Sequence, residues 1–235
     1  MTQIPPVISP NFREEIRNET YYLAAPTIRD EVVWRKIDGA DTLVTRVSAE
    51  AETARPAEAE SLLKPAFLTA VIQMTSNKFW MDAEGGWLGP IEYVEEFSQV
   101  KLAARVAAPP PQYAPFAQDF ADALDNLKFM VDSVGTKGFV QKGVLDTVGG
   151  DRGFKIRHAL FERRDDTRDN EEDEFPIKSW PVSSAHAKEG LEKIVDTHLV
   201  NLPAYDIDGN LIHPSEYSWQ APSSTSHSPS NTGRS

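Results

Sequence analysis

An α+β fold is what this sequence predicts, with a mixed or antiparallel sheet, two main helices and disordered termini. Three observations carry that expectation. Phe116, Phe120, Leu124, Leu127, Val131 and Val134 recur at three- and four-residue intervals, the period of a helix with one apolar face. Residues 32–47 and 139–161 instead hold short β-branched and aromatic runs, broken by Asp-Gly and Gly-Gly turns as in hairpins. The last 18 residues contain seven serines and two prolines and have no core-forming pattern beyond Trp219.

Composition narrows the field before any motif is considered. The 235 residues carry 36 acids against 24 lysines and arginines, a formal charge of -12. That length suits a single domain, placed at 13–217 between a flexible arm (1–12) and a disordered tail (218–235). Without cysteine there is no disulfide framework, thiolate zinc site, iron-sulfur cluster or cysteine nucleophile, and a metal would need histidine and carboxylate ligands. No cofactor is expected. Acidity on this scale opposes nonspecific adhesion to nucleic acid or anionic lipid, although a local basic surface escapes the average. The first ten residues are polar with three prolines, unlike a secretory signal, so an intracellular location, cytoplasmic or nuclear, is expected. The longest apolar run, 66–74, is interrupted by Thr69 and Gln73 and is far shorter than the ~20 residues of a membrane helix.

Along the chain, 32–34 and 43–47 read as two strands joined by a turn at 38–41. Residues 48–60, rich in alanine and glutamate around Pro56, read as a surface loop leading into a short helix near 57–63. The run 66–74 is the expected central strand. Phe79, Trp80, Trp87 and Tyr93 cluster around Gly85-Gly86 and Gly89-Pro90, which suggests core aromatics over a tight turn, with a ligand-binding aromatic platform as the alternative. Residues 103–115 hold four prolines and read as a rigid connector, of a kind that also docks aromatic grooves on partners. A helix over 115–134 follows, with Pro115 in its first turn and Gly135 at its C-cap. A hairpin of 139–148 and 154–161 turns at 149–153. Residues 162–174 have eight acids, three bases and no apolar side chain, a solvated loop. A second helix spans 184–199, capped by Ser183 or Ser184.

Familiar catalytic patterns are incomplete. Gly149-Gly150-Asp151-Arg152-Gly153 lacks the lysine-serine ending of a phosphate loop and precedes a strand. Asp206-x-Asp208-Gly209-Asn210 resembles the start of a calcium loop, but position 215 is serine where the bidentate glutamate belongs. The five histidines show no zinc-helix spacing, and no serine sits in a nucleophile elbow.

Charge distribution says more. Between Lys137 and Arg164 seven bases face three acids, so this hairpin carries +4 and the rest of the chain -16. Lys137, Lys142, Arg152, Lys155 and Arg157, interleaved with Phe139 and Phe154, are the candidate contacts for single-stranded nucleic acid, which is bound by cations and stacking rings on strands. The plainer alternative is a solvated hairpin with its rings turned inward, and the acidic loop beside it is able to neutralise the same face.

The stretch 203–217, PAYDIDGNLIHPSEY, resembles a segment found in a group of uncharacterised proteins of mushroom-forming fungi. Its strand, Asp-x-x-Gly turn, proline and glutamate are also similar in style to OB-fold single-stranded DNA-binding proteins of phages and viruses. That resemblance implies an OB-like barrel, here incomplete because a serine-rich tail stands where the next strand belongs, and it carries no catalytic residue. Three functions are therefore expected in order. The first is a non-enzymatic binding protein contacting single-stranded nucleic acid through the basic hairpin. The second is an enzyme whose site is assembled in three dimensions around His158. The third is a scaffold or interaction subunit with a protein partner. Oligomeric state is left open by the sequence.

Overall fold

The computed structural model describes residues 11–55, 63–135, 144–148, 151–164, 175–200, 204–206 and 210–216. Residues 1–10 of the arm expected over 1–12, residues 57–62 of the short helix expected near 57–63, most of the acidic loop and the serine-rich tail lie outside those residues.

Helix α1 (Phe12–Glu19) turns Ile16 inward and leads into strand β1 (Tyr21–Tyr22), then a single helical turn, α2 (Ile28–Glu31). Strands β2 (Val32–Ile37) and β3 (Ala40–Thr45) form the expected antiparallel hairpin, in register from Val32 opposite Thr45 to Ile37 opposite Ala40. Its turn residues, Asp38 and Gly39, have φ of 51° and 81°. Two successive left-handed residues match the twist of a hairpin, which is why the turn uses Asp-Gly. The surface loop expected from residue 48 is instead helical as far as Ala54, in α3 (Arg46–Ala54). Alanine and glutamate are strong helix formers, and the Thr45 hydroxyl accepts the Ser48 N–H at 3.2 Å to start the helix. Small residues suffice to seat it, since Ser48 and Ala49 are its buried positions.

The strand expected over 66–74 is split into two short pieces, β4 (Leu68–Thr69), parallel to β1, and β5 (Gln73–Met74). The central strand is β6 (Lys101–Ala107), which takes the first five residues, 103–107, of the stretch expected to be a connector. Prolines 109–111 cannot donate to a ladder and end the strand, but they say nothing against the small apolar residues before them. The connector shrinks to 108–113, whose last three residues make a 3-10 turn into α4 (Ala114–Val134). Beyond α4 come β7 (Leu145–Val148) and β8 (Asp151–Ala159). Together they give an antiparallel sheet of order β5-β6-β8-β7.

The second expected helix ends early. It is α5 (Ala185–Ile194), begun by the Ser184 hydroxyl accepting from the Ala187 N–H, and residues near 199 belong to β10 (His198–Val200). This strand pairs antiparallel with β9 (Phe161–Arg163), which closes α5 over Phe97, Leu102, Leu160 and Trp180. Among the described residues the sheets are open, and none closes into a barrel. No helix among them is long and apolar enough to cross a membrane.

Helix α4 organises the remaining core. Phe120 and Leu124 cover Val106 of β6 and Phe154 of β8, with the Phe120 and Phe154 rings stacked at 6.0 Å between centroids. Ala123 and Met130 meet Ile16, Tyr22, Ile28 and Val32 from the first half of the chain. Two buried polar residues lock that contact. Asn126 donates to the carbonyls of Leu23 (2.8 Å) and Ala25 (3.2 Å) and accepts from Arg29 at 2.7 Å. Asp119 accepts from Arg13 (2.8 and 2.5 Å), from Arg17 (3.4 Å) and from the Tyr22 hydroxyl (2.9 Å).

Gly153 marks a close crossing in the sheet. A β-carbon there would stand 2.3 Å from the Val106 carbonyl oxygen and 3.1 Å from Arg105 Nη2. Gly153→Ala is expected to cost about 1–3 kcal/mol, the usual penalty for overpacking, read as a fall in the urea midpoint.

Candidate binding groove

Strand periodicity sorts β6 and β8 into two faces, since residues opposite each other in an antiparallel pair project to the same side. Leu102, Ala104 and Val106 stand opposite His158, Ile156 and Phe154, and Val106 and Phe154 pack on α4. Lys101, Ala103 and Arg105 stand opposite Ala159, Arg157 and Lys155 on the other face. Trp80 extends that second row as a third member. It forms a bridge with Ala103, its N–H donating to the Ala103 carbonyl at 2.7 Å and its carbonyl accepting at 3.0 Å.

The segment 80–94 rises over this face and encloses a groove of about 580 Å³, within the roughly 300–1,000 Å³ of ligand sites. Its lining includes Trp80, Trp87, Ile91, Tyr93, Gln99, Lys101, Lys155 and Arg157, and among the described residues no aspartate or glutamate. Trp87 is buried against Phe97, whereas Trp80 is 41 % and Tyr93 82 % exposed. The aromatic turn expected from the sequence is therefore divided, with one indole in the core and two rings at the groove. Lys101, Lys155 and Arg157 have no ion-pair partner among the described residues. Arg105, next along the same face, is spent internally: it donates to the Asp151 carbonyl at 2.7 Å and lies 3.9 Å from Asp146, which also holds Lys78 at 2.7 Å.

Two devices hold the groove wall in place. Gly86, at φ 67°, leaves no room for a β-carbon, which would meet Trp80 Cδ1 at 2.4 Å, so the indole lies directly on the backbone. Glu84 ties the wall to α5, its carboxylate accepting from the Ser183 N–H, from the Ser183 hydroxyl at 2.8 Å and from the Ser184 N–H at 2.9 Å. Burial pushes the Glu84 carboxyl up, but these hydrogen bonds outweigh it and hold the group below its ordinary range. The Trp180 indole N–H adds a bond to the Ala83 carbonyl at 2.7 Å. Glu84→Ala is expected to cost about 2 kcal/mol, the worth of a charged hydrogen-bond set, with partial recovery in Glu84→Gln; urea titration of both variants measures it.

The candidate residues read from the sequence do not share one surface. Lys155 and Arg157 line the groove. Arg152 instead reaches Asp125 of α4 at 3.1 Å, and Phe154, 7 % exposed, is part of the core and is not placed to stack on a ligand. Lys137, Phe139 and Lys142 lie outside the described residues. Lys101, Gln99 and the pairing of Trp80 with β6 carry no sequence signal, because the alanines of 101–107 match neither a strand nor a helix strongly.

The histidines take other places. His158 is exposed with Nδ1 2.7 Å from the Ala159 carbonyl, and His213 Nδ1 is 2.7 Å from the Ser215 hydroxyl. Neither meets an acid among the described residues, where no group of three or more histidines and carboxylates is placed to hold a metal. Asp206 spends its carboxylate on Asn210, accepting from its N–H at 2.8 Å and its side-chain amide at 3.0 Å. No family model matches this chain, and neither a curated protein nor a solved structure does.

Proposed function

We propose that this chain is a binding protein whose groove between 80–94 and the β6–β8 face takes a segment of single-stranded nucleic acid. The observation that carries the reading is the convergence, among the described residues, of three cations without an ion-pair partner and two accessible aromatic rings on a lining without acids, in a chain of net charge -12. A charged cleft in a field of opposite sign concentrates an anionic ligand locally while the remainder of the surface repels it. Lys101, Lys155 and Arg157 supply phosphate contacts, and Trp80 and Tyr93 supply faces on which bases stack, the combination that sequence-tolerant single-strand sites use. Duplex DNA offers its bases only at groove edges, so stacking selects for an unpaired strand.

Titration of a fluorescent oligonucleotide at low salt, with tryptophan emission followed in parallel, tests the reading. Binding that weakens steeply with salt and quenches the indole supports it, and absence of binding at low salt overturns it. A protein partner is the second reading, favoured by Ile91, an aliphatic side chain 60 % exposed on the groove lining. Such a contact would be far less sensitive to salt.

A further inference from the structure

Ala103 is the short side chain in the floor of the groove. On the groove face of β6 it stands between Lys101 and Arg105, and it is 7 % exposed yet belongs to none of the core clusters of the described residues. Trp80 and Arg157 are its neighbours across the sheet, one on either side in the same row. Ala103 exchanges both of its backbone hydrogen bonds with Trp80, which makes its pairing with Arg157 a non-hydrogen-bonded one. The α-carbons of these two kinds of pair are about 5.5 and 4.5 Å apart, so Trp80 and Arg157 are rooted about 10 Å from each other with one methyl group between them.

Planar groups stack about 3.5 Å apart, so one ring held between two others needs about 7 Å and two rings need about 10.5 Å. The notch over Ala103 therefore admits a single planar ring, with slack for the tilt of the flanking side chains. We infer that this notch is a subsite for one nucleobase, held between the Trp80 indole and the Arg157 guanidinium, and that the small size of Ala103 sets its depth. The inference rests on the nucleic-acid reading above. Gly86 backs the indole and keeps it in place, while Arg157 is exposed and has no ion-pair partner among the described residues. A guanidinium stacks through its flat face and keeps its N–H groups in the plane, so Arg157 grips a base and still reaches a phosphate. Lysine, a point charge on a flexible stem, offers no such face.

An abasic oligomer, which keeps the phosphates and lacks the bases, isolates the subsite. Wild-type protein is expected to bind an oligothymidine about ten- to a hundredfold more tightly than an abasic oligomer of equal length, the worth of stacking one base. Ala103→Leu fills the notch without changing any charge, and Arg157→Lys keeps the charge while removing the flat face. Each should lower the ratio of the two affinities by about threefold or more, the loss of a stacking face. Ala103→Leu should also reduce the quenching of tryptophan emission by the oligothymidine, with the salt slope as in the wild type because no phosphate contact is removed. Equal affinity of the wild type for the two oligomers, or an unaltered ratio in either variant, overturns this inference while salt-sensitive binding of the strand stands. Failure of every oligomer to bind overturns both, and Arg157→Lys decides the matter if Ala103→Leu does not fold.

Discussion

Reversing two charges on one strand, Lys155→Glu with Arg157→Glu, is expected to weaken binding of a single-stranded oligonucleotide about a hundredfold at low salt. Both side chains line the groove and neither is engaged in an ion pair among the described residues, so their charges are available to a ligand. A unit pair 4 Å apart in water is worth about 1 kcal/mol. Removing an attraction and adding a repulsion at two positions therefore costs roughly 3 kcal/mol after screening at about 50 mM salt. The salt dependence offers an independent reading. Three phosphate contacts on a single strand give a slope of log affinity against log salt near -2, and the double reversal should flatten it to about -0.7 or less. Folding stability should change by no more than about 0.5 kcal/mol, because both side chains lie away from the α4 core. Unchanged affinity in a folded double variant would remove the groove from consideration.

Asp119→Ala is expected to destabilise the fold by about 2–4 kcal/mol, the worth of a charged hydrogen-bond set together with a buried hydroxyl left unpaired. Asp119 is 3 % exposed and joins α4 to α1 and β1 through Arg13, Arg17 and Tyr22. Burial pushes its carboxyl up, yet the hydrogen bonds from Arg13 and Tyr22 and the charges of both arginines outweigh this and hold it below its ordinary value. Tyr22 is shifted the other way, its hydroxyl pushed well above the usual range by burial and then by the neighbouring carboxylate. The stabilising contribution of a carboxylate with a lowered folded pKa is complete above its unfolded value, near 4, and is lost as pH falls through the folded one. The gap between wild type and Asp119→Ala should thus be widest at neutral pH and shrink below about pH 4, in urea titrations at the two pH values. An equal gap at both would show that the charge is irrelevant and only shape matters.

The parts of this molecule that were legible in the sequence are those governed by local pattern. The six apolar positions of 116–134 specify α4, and Asp38-Gly39 specifies the turn between β2 and β3. The α+β class follows from such signals alone. Where residues answer to distant partners the sequence is silent. Nothing near Asp119 announces Arg13, more than a hundred positions away. Strand β6 is not legible locally because its alanines match neither a strand nor a helix strongly, and its identity comes from being flanked by β5 and β8. The basic hairpin was visible as a charge excess, but the face each cation takes depends on register, and Arg152 and Lys155 part company on that account.

Strand β8 also sets what the gene can tolerate. Phe154 and Ile156 lie toward α4 while Lys155 and Arg157 lie toward the groove, so one inserted or deleted residue inside the strand would exchange the two sets. Cations would enter the hydrocarbon interior as rings appeared at the ligand surface, and neither folding nor recognition would survive. Variation in natural or laboratory-evolved versions should accordingly consist of substitutions within β8 and of length changes only outside it.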